Sequence, residues 1–295
     1  MSRPFPTYDS YEHDINLIIS HFCCNDGFCA YYIARTILGS KCEYVFCSYN
    51  SFIPNVKGKN VGIFDFSFPL DVMERLIADS NSLILFDHHE TSRNNISGLP
   101  NCYFDSSKSG CVLAWEFFYP KLPLPLFVQH INDYDLWKFE LEGTREFVIS
   151  LSLFEFDLEC WKSLRNKEFV AQMINKGKLL LQYQAVLIDS ICKRAVIKYF
   201  HGYKTYVVNS CILSSEVGST LSEDNSDCVV MIWNYIHKHK KYKVALRSSE
   251  DGGPNVNELA EKYGGGGHKH ASSFMYIAER NIDEIFDDAI PANTL

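Results

Sequence analysis

No run of ~18 apolar residues occurs in this chain, so nothing reads as a membrane span. The opening residues, Met1-Ser2-Arg3-Pro4-Phe5-Pro6, lack the apolar core of a signal segment. Positive charge is also scarce: 28 Lys and Arg face 36 Asp and Glu, a net charge of -8. That deficit excludes a broad basic surface for duplex DNA. A phosphate handled by such a chain needs positive charge concentrated at one site, from metal ions or a few Arg and Lys. Internal repeats and low-complexity tracts are missing as well. Cysteine is not scarce, but its 11 residues are odd in number and irregularly spaced. Cys47, Cys111, Cys192 and Cys228 sit inside apolar runs, where a free thiol behaves as a small hydrophobe. The pattern argues against a disulfide framework and for a reducing, cytoplasmic setting. What the chain does have is 295 residues at 46% hydrophobic content, enough for two packed domains.

Short apolar runs of strand length punctuate the first half, and they stop at polar residues of one kind. Residues 14–20 read as a strand ending at His21, and a turn holding Cys24 and Asp26 leads into a helix over 29–35. Residues 61–64 form a strand ending at Asp65, and Pro69 suits the first turn of a helix over 70–77. Residues 82–86 form a strand ending at Asp87-His88-His89. A further strand over 102–104 ends at Asp105, Ser109-Gly110 opens a helix over 111–118, and a proline-punctuated stretch leads to Asp133 and Asp135. Strands alternating with helices imply a mostly parallel sheet. An open α/β sheet places its ligands at the carboxyl ends of its strands, which is where His21, Asp65 and Asp87-His88 fall. Buried like charges are costly unless a cation neutralises them. Mixed oxygen and nitrogen ligands suit Mn²⁺, and less exclusively Zn²⁺ or Fe²⁺. Two such ions would fit a phosphoryl-transfer site.

Residues 166–198 read as one long helix, either a connector or a helix packed into the first domain. A strand over 205–209, a helix over 214–221 and a hairpin over 227–246 follow. The basic turn of that hairpin, His237 to Lys241, reads as a solvated tip, and Arg247-Ser248 closes its second strand. A helix over 257–263 runs into Gly264-Gly265-Gly266-Gly267-His268-Lys269-His270. Four glycines let a backbone approach a ligand, and their N–H groups can cradle an anion, so the stretch is expected to be a ligand loop.

Taken together, six motifs resemble the DHH phosphoesterase superfamily with its DHH-associated C-terminal domain. They are His21-x-x-Cys24-x-Asp26-Gly27-Phe28, Asp65-Phe66-Ser67, Asp87-His88-His89, Asp133-x-Asp135-Leu136-Trp137, Arg247-Ser248 and Gly264-Gly265-Gly266-Gly267-His268. They occur in family order over roughly residues 15–280.

The resemblance implies an α/β fold. A mostly parallel DHH catalytic domain (1–165) is joined by a helical connector (166–200) to a smaller α/β substrate-binding domain (201–295). Together the two domains would form a clamp. It implies one or two Mn²⁺ ions, with Zn²⁺, Mg²⁺ or Co²⁺ as substitutes. The ligands would be His21, Asp26, Asp65, His88 and Asp133, with Asp65 bridging. Asp87 would orient a histidine, and His89 would contact the scissile phosphate. Arg247, Ser248, Gly265, Gly266, Gly267 and His268 would bind substrate.

Many relatives carry Asp where Cys24 stands; the thiol is either a soft ligand or none. Asp133 is preferred to Asp135 as the ligand because it aligns better. The implied activity is hydrolysis of short oligonucleotides or linear dinucleotides to 5′-mononucleotides. The alternatives are a 3′-phosphoadenosine 5′-phosphate phosphatase, a single-strand exonuclease, or a degenerate homologue that binds nucleotides or RNA without cutting. The expected partner is a short single-stranded nucleic acid or dinucleotide, with no duplex DNA and no membrane, and a homodimer is compatible.

Overall fold

The structure, a computed structural model, describes residues 5–21, 24–48, 52–223, 225–277, 279 and 281–287. Phe22 and Cys23 of the first turn, and residues 1–4 and 288–295 at the ends of the expected domains, lie outside the described residues. The chain divides into two compact units, residues 1–181 and 182–295.

The first unit contains β1 (Leu17–His21), α1 (Asn25–Leu38), β2 (Glu43–Cys47), β3 (Asn60–Phe64), α2 (Leu70–Asp79) and β4 (Ser82–Asp87). It continues with α3 (Glu90–Ile96), β5 (Cys102–Phe104), α4 (Gly110–Phe118), α5 (Leu126–Asp135), α6 (Thr144–Leu151), α7 (Leu158–Lys162) and the long α8 (Lys167–Cys192), in which the unit boundary falls. The strands form a five-stranded sheet in the order β2-β1-β3-β4-β5, parallel at every pairing.

Alternation within the strands explains why helices cover both faces. Ile18, Phe64, Ile84 and Phe86 point into one core with residues of α1, α4 and α5. Leu17, Ile19, Ile63 and Leu85 point into the other, with Val72, Met73 and Leu76 of α2. The order of strands reverses between β1 and β3, so the crevice of a doubly wound sheet opens beyond the carboxyl ends of those two strands. His21 ends β1 and Asp65 follows β3 directly.

The second unit contains β6 (Val196–Phe200), β7 (Tyr203–Asn209), α9 (Ser214–Glu223), β8 (Val229–Ile236), β9 (Lys241–Arg247), α10 (Val256–Glu261), β10 (Gly266–His268) and β11 (Ala271–Ile277). They build a mixed six-stranded sheet in the order β10-β11-β9-β8-β7-β6. Its core is formed by Val229, Met231, Val244 and Leu246 of the sheet against Val256, Leu259 and Ala260 of α10.

The expected glycine loop is a strand in its second half: Gly264 and Gly265 lead out of the turn after α10, and Gly266 and Gly267 lie in β10, paired antiparallel with β11 as Gly266↔Ser273 and Gly267↔Ser272. A Cβ on Gly265 would lie 2.2 Å from the Ser273 carbonyl oxygen, and one on Gly267 2.5 Å from that of Ala271. The glycines thus permit a tight hairpin, which accounts for more than one of them. Among the described residues no helix is long and apolar enough to cross a membrane.

Candidate metal centre

Carboxylates and imidazoles meet at the carboxyl end of the first unit's sheet. His88 is the hub: its Nε2 lies 3.0 Å from Asp65 Oδ1, 3.5 Å from Asp135 Oδ2 and 3.7 Å from Asp26 Oδ2. His21 Nδ1 lies 3.5 Å from Asp65 Oδ2, and the Cys24 thiol donates to that same oxygen at 3.3 Å. Three overlapping donor groups result, each gathered within 4.8 Å: Asp65, Asp87, His88 and His89; His21, Cys24 and Asp65; and Asp26, His88 and Asp135. Asp26, Asp65, Asp87 and His88 are buried.

Local backbone chemistry holds each group. Asp65 has φ of 60°, a left-handed conformation that is uncommon outside glycine, and its N–H donates to the Phe86 carbonyl at 3.0 Å. Gly110 opens α4 directly against it; a Cβ there would come within 2.3 Å of the Asp65 Cβ. That close approach lets the first turn of α4 donate to Asp26. The Gly110 N–H reaches Oδ2 at 2.6 Å and the Cys111 N–H reaches Oδ1 at 2.9 Å. A carboxylate at a helix N-terminus satisfies donors that have no partner within the helix. Gly27 serves β1 likewise, since a Cβ would lie 2.5 Å from the His21 carbonyl oxygen.

Asp87 works as an anchor. Its Oδ1 accepts from the His88 and His89 backbone N–H groups at 2.7 and 3.2 Å, and lies 2.8 Å from His89 Nδ1. Its Oδ2 accepts from the Ser92 hydroxyl, which in turn accepts from Ser67.

Asp133 is not brought to the cluster. Its Oδ1 accepts from the Glu140 N–H at 2.8 Å, and its Oδ2 from the Leu141 N–H at 3.2 Å and the Thr144 hydroxyl at 2.6 Å. It clips the turn that holds Trp137 and Phe139 at φ of 56° and 54°. Asp135 faces His88 in its place. Residues two apart on a helix differ by about 200° in direction, so α5 can present only one of the two carboxylates to a given point.

Burial and neighbours set the protonation of these groups. Burial raises the Asp65 carboxyl, but hydrogen bonds from His21 and His88 overcome that and hold it well below the usual carboxylate range. Asp87 is likewise held low against burial, chiefly by the His89 charge. Burial pushes Asp26 well up, reinforced by Asp65 and Asp135, and Asp135 is raised mainly by burial. Burial disfavours the His88 cation, yet the Asp65 hydrogen bond and the Asp135 charge raise it to about 10. The Cys24 thiol is pushed well up by burial and by Asp65. Protons therefore compensate the crowded carboxylates. The buried Asp135 Oδ2 accepts no hydrogen bond among the described residues. Hard oxygens mixed with imidazole nitrogens, one oxygen accepting no hydrogen bond among the described residues, fit a divalent cation.

In the second unit, Arg247 donates to the Leu246 carbonyl at 2.8 Å and to the Ser215 hydroxyl at 2.9 Å, and its side chain lies where a Cβ on Gly218 would be. Ser248 lies 2.9 Å from His270 Nδ1 and donates to the Pro254 carbonyl at 2.7 Å. The carbonyl of His268 accepts from Ser272 at 2.7 Å.

Residues 199–291 match the DHHA1 domain model. The chain is 30% identical over 292 residues to the uncharacterized protein R106 of Acanthamoeba polyphaga mimivirus, covering 90% of this chain and 68% of R106. It is 24% identical over 237 residues to oligoribonuclease NrnB of Bacillus subtilis, covering 70% of this chain and 58% of NrnB. A solved structure of the pGpG-specific phosphodiesterase PggH from Vibrio cholerae shares the fold at a TM-score of 0.50 and 14% identity, over 90% of this chain and 94% of that one.

Proposed function

Because the chain belongs to the DHH phosphoesterase superfamily, we propose that it is a metal-dependent phosphodiesterase that hydrolyses short oligonucleotides or linear dinucleotides to 5′-mononucleotides. The observation that carries the reading is the convergence of Asp26, Asp65 and Asp135 on His88 Nε2 at the crevice of a parallel sheet. The names of NrnB and PggH, an oligoribonuclease and a pGpG phosphodiesterase, support the substrate class. The acidic chain supports a short substrate, since a long single strand is usually tracked by a basic groove.

In this reading His21, Asp26, Asp65, His88 and Asp135 would hold the cation, with the Cys24 thiol beside Asp65. Bound Mn²⁺ would supply a Lewis acid for the phosphoryl oxygens and a water of lowered pKa. His89 is given to the scissile phosphate: Asp87 grips its Nδ1, which fixes the ring. Asp133 is a positioning residue, acting through the turn it clips. Arg247, Ser248, Gly265 and the β10 residues Gly266, Gly267 and His268 are the second unit's substrate surface.

Purified protein incubated with Mn²⁺ and labelled pApA should release 5′-AMP. His88→Ala and Asp65→Ala should each lower kcat/KM at least about a hundredfold. Tight binding without product from the wild-type protein would instead support a binding-only homologue. Undiminished cleavage by both variants would sink the site assignment.

A further inference from the structure

This inference rests on the phosphodiesterase reading of the same cluster and concerns what lies beside it. Asp26 and Asp135 also line a cavity of about 450 Å³ within the first unit, a size in the ~300–1,000 Å³ range of small-molecule sites. Tyr134, Phe154 and Phe156 line it with them. Tyr134 sits between the two carboxylates of α5, so the chain element that carries Asp135 also carries an aromatic ring.

Phe154 and Phe156 come from the segment after α6, and core rings back them. The Phe156 ring centroid is 5.1 Å from that of Phe28, and the Phe154 centroid is 6.0 Å from that of Phe169. Phe156 is nonetheless 46% exposed, a large ring that the fold holds in place and leaves uncovered. Among the described residues no Lys or Arg lines the cavity, so a phosphate finds its charge partner in a cation held at the carboxylate end. The remainder of the cavity suits an uncharged planar group. Besides the carboxylates, the described hydrogen-bonding side chains are the Cys24 thiol, Asn25, the Tyr134 hydroxyl and the Ser152 hydroxyl, which is already donated to the Ile149 carbonyl at 2.7 Å.

We propose that this cavity is a nucleoside pocket, in which the base attached to the phosphate at the cluster stacks among Tyr134, Phe154 and Phe156. Recognition there comes from ring stacking, not from hydrogen bonds to base edges. It therefore tolerates all bases and prefers purines for their larger area.

Two variants test this in the full chain, one that opens the cavity and one that fills it. Phe156→Ala removes an exposed ring, and Ser152→Trp inserts one from the exposed rim. With Mn²⁺, each should raise KM for pApA about tenfold while changing kcat less than threefold, with a smaller KM effect for pUpU. In a titration that needs no hydrolysis, each should weaken 5′-AMP binding by a similar factor, with an unchanged Tm showing that the fold is intact. KM and 5′-AMP affinity that stay within about twofold of wild type in both variants would overturn the pocket. If the wild-type protein cuts neither dinucleotide, the phosphodiesterase reading fails by itself. The titration still decides the pocket: 5′-AMP binding weakened by both variants keeps it, and wild-type protein that binds no 5′-AMP ends it.

Discussion

Four residues of the cluster are held in states that their own chemistry would not choose. Asp65 adopts a left-handed backbone, Asp26 and Asp135 sit where carboxyls resist ionisation, and His88 is a buried imidazole raised to about 10. Non-glycine residues at positive φ persist where surrounding structure over-determines them; here the contact with Gly110 and the Phe86 carbonyl do so. The His88 shift gives a signed pH prediction for metal-free protein. Its folded pKa lies above the ordinary value of about 6.5, so its contribution is full below that pH and is lost as pH rises through about 10. The stability of wild type over His88→Gln, from urea melts in chelator, should therefore be largest near pH 6 and vanish toward about 10. Mn²⁺ must displace the same proton, so its affinity should rise with pH over that span. A stability difference that grows with pH would reverse the assignment of charge at His88.

At the scale of elements, α5 separates two carboxylates that the sequence sets side by side. Asp133 turns to the 140–144 segment and Asp135 to His88. Asp133→Asn should cost about 1–3 kcal/mol of stability, because it weakens charge-assisted bonds to buried N–H groups, and leave Mn²⁺ stoichiometry intact. Asp135→Asn should leave stability nearly unchanged and weaken Mn²⁺ binding about ten- to a hundredfold. Calorimetric unfolding and Mn²⁺ titration separate the two; interchanged outcomes would restore Asp133 as the ligand.

Strand ends were legible here because β1, β3 and β4 are short apolar runs stopped by His21, Asp65 and Asp87. Other elements were not legible, for local reasons. β2 opens on Glu43 and β11 on Ala271-Ser272-Ser273, so each keeps an apolar run of only four residues, 44–47 and 274–277, which periodicity alone does not tell from a buried helix segment. β6 follows α8 after three residues, and helical periodicity reads straight through it.

For the molecule as a whole, the two units have separate cores, and among the described residues only the first contains a donor cluster. Metal binding should therefore stabilise the first unit specifically. Mn²⁺ at a hundredfold excess over its Kd should raise Tm by about 5–10 °C relative to chelator-treated protein. Asp65→Ala should abolish that rise. An equal rise in the variant, followed by scanning calorimetry, would place the stabilising ion elsewhere.

From the sequence alone came the α/β alternation, the residues at the ends of β1, β3 and β4, and the resemblance to the family. All of these depend on residue chemistry and spacing along the chain. Which carboxylate of α5 meets His88, whether four glycines make a loop or a strand, and which rings surround a cavity next to Asp26 depend on helix phase, strand pairing and packing between segments far apart in sequence. Tertiary structure alone sets those, because a side chain's direction is fixed only when its element docks against others.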